Sequence, residues 1–302
     1  MIINFSEKVK RALDENTPVL ALESTILAHG MPFPENLNLA GKINEVCYSF
    51  GVTPATIAIL NGVPCIGLNQ NQLNHITKNG SKLKKTPMSD LGLACLKKHD
   101  AATTVSSSIH LASLAKIKVF ATGGLGGVHR DYSDTLDLSQ DLKALSDTNI
   151  ITVSSGVKLI LDVKKTIEKI ESLGVTVVGY KTNDLPGFYS RKSGVKLEYR
   201  INKARDISSL FLLNQTLKLK SSILVMNPIS KTEEVPLEKI EPLINSSLEV
   251  AKKMELQGKE ITPFLLKSIV EKSKGESLSA NVSLAINNAI LGCEIAKSLY
   301  NN

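Results

Sequence analysis

Tryptophan is absent from the 302 residues, aromatic side chains make up only 4%, and just five of the 36 basic residues are arginines (Arg11, Arg130, Arg191, Arg200 and Arg205). Nucleic-acid-binding surfaces draw on a concentrated basic stripe and on aromatic faces for stacking. Lysines strewn along the chain supply neither, so nucleic acid is not an expected partner. A formal charge of +7 suits a small anionic substrate equally well. Cysteine is scarce too: Cys47, Cys65, Cys95 and Cys293 are far apart and form no CxxC pair. They read as reduced thiols of a cytosolic protein. No run approaches the roughly 18 consecutive apolar residues of a membrane span. The opening MIINFSEKVKRALDEN carries charges at helical intervals where a signal peptide would carry an apolar core. A soluble, cytoplasmic protein with no membrane partner is expected.

What is present is an ordinary globular balance, 42% hydrophobic and 22% charged, in a chain long enough to bury a large core. Apolar runs alternate with amphipathic stretches. PVLALESTI (18–26), TPATIAIL (53–60), VPCIGL (63–68), DAATTVSSS (100–108), KVFATGG, IITVSSG, VTVVGYKT (175–182) and SSILVMNPIS (221–230) read as strands. Helices are expected over 2–15, up to about Phe50, 69–79, 205–219, 235–256, 262–274 and 277–300, the 262–274 helix opening on Thr262-Pro263. Asn61-Gly62, between two strands, is a hairpin signal, and SKLKKTPMSD reads as a basic turn. Strand–helix alternation predicts an α/β fold with a largely parallel central sheet covered on both faces and a C-terminal helical layer. With no internal repeat or linker, residues 1–302 are expected to form one domain.

The densest chemistry lies in VFATGGLGGVHRDYSDTLDLSQD (119–141) and IITVSSGVKLILD (150–162). Gly123, Gly124, Gly126 and Gly127 match neither a dinucleotide fingerprint nor a P-loop. They are either a tight strand exit or a loop whose N–H groups face a phosphate or sugar. Asp137 and Ser139 stand before a helix starting near Gln140, where N-terminal donors need acceptors. The alternative for one of the nearby carboxylates is a hard divalent cation that keeps several waters. Lys158 follows Ser154-Ser155-Gly156, with Leu159, Ile160, Val163, Ile167 and Ile170 at helical spacing, so it is placed at a helix start. It is either an exposed helix-face lysine or a nucleophile. Because an unperturbed lysine has a pKa near ~10.4, a nucleophilic one needs desolvation or a neighbouring cation. The apolar surroundings of Lys158 could supply the first. Glu23 closes a buried strand, which is costly unless the carboxyl is paired or catalytic; burial would suit it to general-acid work. His29 reads as a hydrogen-bonded structural group.

Taken together, ALESTILAHGMPFPENL, GVTPATIAIL, ATGGLGGVHR, DLSQDL, GVKLILD, LPGFYSRKSG, GKEITPFLL and LSANVSLAINNA resemble the pseudouridine-5′-phosphate glycosidases, also called the indigoidine synthase A-like family. The quoted stretches run in the family's order from about residue 19 to 297. The resemblance implies an α/β/α sandwich and a homotrimer. It also implies a manganese-dependent lyase-type glycosidase, grouped among the carbon–oxygen hydro-lyases. Such an enzyme reversibly cleaves the bond between C1′ of ribose 5-phosphate and C5 of uracil in pseudouridine 5′-phosphate. Carried over by position, Lys158 is the imine-forming lysine, Glu23 the acid at the ring oxygen, and Asp137 the ligand of Mn²⁺. Lys85, Val105, His129, Ser139, Gln140, Asp141 and Asn281 fall on substrate contacts, with Lys84 a possible substitute for Lys85. The usual Ser-Ala-Asp triplet is Ser139-Gln140-Asp141 here, and Cys-Ala before the lysine is Ser154-Ser155. Two other readings stay open. One is the same scaffold acting on another C-nucleotide or sugar phosphate in pigment metabolism, and the other is a non-enzymatic phosphosugar-binding protein.

Overall fold

A computed structural model describes residues 3–256 and 261–300. In chain order the first half contains β1 (Asn4–Phe5), α1 (Glu7–Asp14), β2 (Val19–Leu22), α2 (Thr25–His29), α3 (Glu35–Ser49), β3 (Thr53–Leu60), β4 (Val63–Ile66), α4 (Gln70–Lys78), β5 (Lys84–Thr86), α5 (Leu91–Leu96), β6 (Ala101–Thr103), α6 (Val105–Leu114) and β7 (Val119–Ala121). The second half contains α7 (Tyr132–Thr135), α8 (Gln140–Asp147), β8 (Ile151–Ser154), α9 (Val163–Ser172), β9 (Thr176–Tyr180), β10 (Arg200–Ile201), α10 (Ala204–Thr216), β11 (Ile223–Met226), α11 (Leu237–Lys253), α12 (Ile261–Lys272) and α13 (Glu276–Tyr300).

The strands form one sheet in the spatial order β1-β4-β3-β2-β7-β8-β11-β9-β10, with β6 on β3 and β5 on β6. Among the described residues β3 pairs antiparallel with β4 and β6, and the other pairings are parallel. The β3–β4 hairpin turns on Asn61 and Gly62, both at positive φ (49° and 74°), as a two-residue turn matched to strand twist requires. Alternate residues of each strand face opposite layers. Leu20, Leu22, Val119, Ala121, Ile151 and Val153 pack with α3 and α10–α13, while Val19, Ala21, Phe120, Leu224 and Met226 pack with α1, α6, α8 and α9. The expected α/β/α sandwich with its C-terminal helical layer is what forms. Burial on both faces explains why the central strands read as unbroken apolar runs.

Several local expectations differ. The 2–15 helix is a short strand plus α1, which starts after Ser6 because the Ser6 hydroxyl accepts from the Val9 amide (3.3 Å). The basic turn contains strand β5, pulled into register by β6, and ESTILAHG holds the short helix α2. Lys158 is not at a helix start: α9 begins at Val163, capped by Asp162, whose carboxylate accepts from the Lys165 amide (3.0 Å). Residues 155–162 instead run beside the glycine loop, with the Leu125 carbonyl accepting from the Lys158 amide (3.2 Å). The apolar spacing at Leu159 and Ile160 reflects burial of a loop in the core, not helical periodicity. Of the quoted stretch GKEITPFLL, Gly258–Glu260 lie outside the described residues, as do the side chains of Thr262 and Pro263.

Candidate active site

Three adjacent parallel strands, β2, β7 and β8, end on the same edge of the sheet, where ligands of open α/β sheets bind. Leu22 pairs with Ala121 in the β2–β7 register, so the next residues, Glu23 and Thr122, stand side by side. The Thr122 hydroxyl donates to Glu23 Oε1. The strand between Glu23 and Lys158 leaves the sheet through Gly123-Gly124, which bring no side chain to the wall. Beyond β8, Gly156 takes a positive φ (102°) with the Pro186 carbonyl where a Cβ would project (1.9 Å), and the chain delivers Lys158.

These strand ends open onto a cavity of about 220 Å³. Glu23, Lys158, Asp137, Lys85, Val105, His129, Ser139, Gln140, Asp141 and Asn281, all ten site residues expected from the sequence, line it. Lys85, not Lys84, is the lysine of β5 that reaches this wall. Val105 opens α6, directing that helix's N-terminal turn at the cavity, where its partial positive charge favours an anion.

The carboxylates divide into distinct roles. Glu23 is 7% exposed, and its carboxyl is pushed above the ordinary 4.5 chiefly by burial. The positive charge of Lys158 and the Thr122 hydroxyl pull the other way. Asp141, also buried, has both oxygens committed: Oδ1 accepts from the Ser106 amide (3.0 Å) and Oδ2 from the Gly126 amide (2.9 Å). Gly126 must be glycine there, since a Cβ would lie 2.2 Å from Ser139 Oγ. Of the two capping candidates, Ser139 caps α8, its hydroxyl accepting from the Asp141 amide (3.2 Å). Asp137 is not the cap; its carboxylate faces His129 Nε2 at 3.7 Å and is 30% exposed.

No group of three or more His, Cys, Asp or Glu side chains is placed to hold an ion among the described residues. Asp137, with its carboxylate free of backbone donors, could hold a hard cation that keeps most of its water.

Two polar atoms of the wall have no hydrogen-bond partner among the described residues: His29 Nε2 and Asn281 Oδ1, both buried. Orphaned buried polar atoms are uncommon and costly, and a ligand would relieve both. His29 is therefore not the satisfied structural group expected of it. Burial and the nearby Lys85 charge lower its pKa to about 4, so its ring is neutral at neutral pH.

Sequence reasoning missed Asn288, seven residues beyond Asn281 on the same face of α13. It is fully buried. Its Nδ2 donates to the Thr122 carbonyl (2.7 Å), and its Oδ1 accepts from Asn227 Nδ2 (2.9 Å) and from the Ser155 hydroxyl (3.2 Å). It thus pins the ends of β7, β8 and β11 together beneath Glu23. The signal was a polar residue inside the apolar stretch LAINNAIL. Phe188 was missed as well; its ring occupies the space a side chain at Gly124 would take (2.3 Å).

The model of a family described as indigoidine synthase A like protein matches residues 8–298. The chain belongs to the indigoidine synthase A-like family. Among curated relatives, pseudouridine-5′-phosphate glycosidase of Petrotoga mobilis is 45% identical over 98% of this chain and 96% of its own length. The enzyme of the same name from Thermosipho africanus is 47% identical over 97% and 98%. Two solved structures share the fold. An indigoidine synthase A-like protein from Thermotoga maritima has a TM-score of 0.90 at 35% identity, over 99% of this chain and 97% of that one. The prealnumycin C-glycosynthase, in complex with ribulose 5-phosphate, has a TM-score of 0.91 at 30% identity, over 100% and 98%. Within this indigoidine synthase A-like fold, the chain leaving β2, β7 and β8 carries Glu23, the glycine loop and Lys158.

Proposed function

We propose that this protein is a pseudouridine-5′-phosphate glycosidase that releases uracil from ribose 5-phosphate through a lysine imine. The observation carrying this reading is the pairing of Glu23, a buried carboxyl with a raised pKa, and Lys158 on one cavity wall. The names of relatives at 45–47% identity over nearly the full length support the substrate.

A carbon leaving group has no lone pair to protonate, so a scheme of two carboxylates across an O-glycosidic bond does not serve. In its free-amine form, Lys158 adds to C1′ as the C1′–O4′ bond breaks and Glu23 gives its proton to the ring oxygen. The nitrogen lone pair then forms the C1′=N bond as the C1′–C5 bond breaks. Its electron pair stays on uracil C5, which takes a proton. Water hydrolyses the imine, returning the amine and giving ribose 5-phosphate. Lys85 and the first turn of α6 meet the phosphate, and Asn281 meets the base with its amide, whose donor and acceptor suit uracil. Asp137 would hold the divalent cation, Mn²⁺ by family likeness, whose positive charge would offset that of the phosphate. A homotrimer is the proposed assembly, to be checked by light scattering.

The test is borohydride trapping with ribose 5-phosphate, followed by peptide mapping. An adduct on Lys158, lost in Lys158→Ala, is expected; no adduct, or one on another lysine, ends the mechanism. The likeness to the prealnumycin C-glycosynthase favours a second reading, in which the same site handles a different C-glycoside. Assaying base release across a panel of C-nucleotides separates the two.

A further inference from the structure

Gln140 departs from the alanine that the family resemblance leads one to expect, and its side chain grips a neighbouring segment. Its Oε1 accepts from the Ser89 amide (2.9 Å) and its Nε2 donates to the Ser89 hydroxyl (2.7 Å). That hydroxyl donates onward to Asp90 (2.8 Å). Ser89 lies in a single 3₁₀ turn, Met88–Asp90, directly after β5. Lys85 is the middle residue of β5, a strand of three residues.

So short a strand is held on one side by its ladder to β6. Further down the segment, the Ser107 hydroxyl donates to the Thr86 carbonyl (2.7 Å) and the Met88 amide donates to the Ser106 hydroxyl (3.2 Å). Those bonds tie it to α6. The Gln140 pair ties the same segment to α8, the helix packed against α6. Two bonds from one planar amide fix orientation as well as distance. Lys85 is close enough to both Glu23 and His29 for its charge to bear on each, so a shift of this segment would be felt across the site.

We infer that Gln140 is a positioning residue that holds Lys85 against the substrate's phosphate through a two-bond clamp on Ser89. The inference rests on the proposed function, in which Lys85 meets that phosphate.

The test is calorimetric titration of ribose 5-phosphate into the full-length protein and four variants: Gln140→Ala, Ser89→Ala, Lys85→Ala and the Gln140→Ala/Lys85→Ala double. Hydrogen exchange of residues 84–90 is followed alongside. Two neutral hydrogen bonds correspond to weakening of about tenfold in Gln140→Ala, and one bond to about threefold in Ser89→Ala. In the Lys85→Ala background, Gln140→Ala should add nothing, because the group it positions is gone. Amides of 84–90 should exchange faster in Gln140→Ala. In turnover, KM should rise more than kcat falls. An undiminished Gln140→Ala effect without Lys85 would make Gln140 a direct substrate contact and overturn the inference. If Lys85→Ala weakens binding while Gln140→Ala does not, the clamp alone fails. If Lys85→Ala has no effect, the assignment of Lys85 to the phosphate fails, and the inference with it.

Discussion

Replacing Glu23 by glutamine separates proton donation from architecture. Gln keeps the length and planarity of the side chain and can still accept the Thr122 hydroxyl through its own carbonyl oxygen. What it cannot do is give a proton to the ring oxygen. Positioned general acids contribute about 10²–10⁴-fold, or ~3–5 kcal/mol of transition-state stabilisation, so uracil release at saturating substrate should fall by that factor. The folded protein should not suffer. The Glu23 carboxyl is held above 4.5, with burial the main cause, so it binds its proton more tightly folded than unfolded. Its contribution to stability is fully present below the unfolded value and is lost as pH rises through the raised folded value. At neutral pH and above, the native protein therefore carries a penalty that Gln lacks. The variant's Tm should equal or exceed the native one at pH 7–8, and the difference should shrink towards pH 4. The native kcat/KM should decline as pH rises through the same folded value, and that limb should be missing in Glu23→Gln. A loss of activity below tenfold, or one accompanied by a lowered Tm at pH 8, would refute the assignment of Glu23 as a buried proton donor.

Asn288→Ala removes an amide that bonds Thr122, Asn227 and Ser155 at the strand ends. It should cost about 2–4 kcal/mol in urea unfolding, because polar partners are left buried without bonds; a change under ~0.5 kcal/mol would show that the network carries no load. Chelation with EDTA should suppress uracil release and Mn²⁺ should restore it. In Asp137→Ala the Mn²⁺ concentration for half-restoration should rise at least tenfold, and an unchanged value would place the cation elsewhere.

Much of the fold was legible because its signals are local. Apolar runs flanked by turn residues marked the central strands, and Asn61-Gly62 marked the hairpin. The glycines, carboxylates and Lys158 stood out because they cluster in two consecutive strand exits, whereas Lys85, Val105 and Asn281 came only from the family resemblance. What escaped depends on partners distant in sequence. Leu159 and Ile160 keep helical spacing, yet their burial comes from the core they meet as a loop. β5 looks like a basic turn until β6 pairs with it. His29 looked like a satisfied structural residue because nothing in AHGMP reveals whether Nε2 finds a partner, and among the described residues it finds none. Asn288 looks like an interruption of an apolar helix until the ends of β7 and β8 are brought beneath it.

The first turn of α8 shows how an apparent ligand motif and a structural hub can be the same residues. Ser139 caps its own helix, Gln140 grips Ser89, and Asp141 binds the amides of Ser106 and Gly126. Three successive side chains thus hold the helix end, the β5 segment, the start of α6 and the glycine loop. Each oxygen of Asp141 accepts one backbone N–H, which leaves further acceptor capacity on a carboxylate that lines the cavity. The same two bonds fix the directions in which the Ser106 and Gly126 N–H groups point. Substitution at position 140 releases only the β5 segment. Substitution at 141 releases two segments at once and leaves the buried Ser106 amide and the part-buried Gly126 amide unpaired, the buried one alone at about 1–3 kcal/mol.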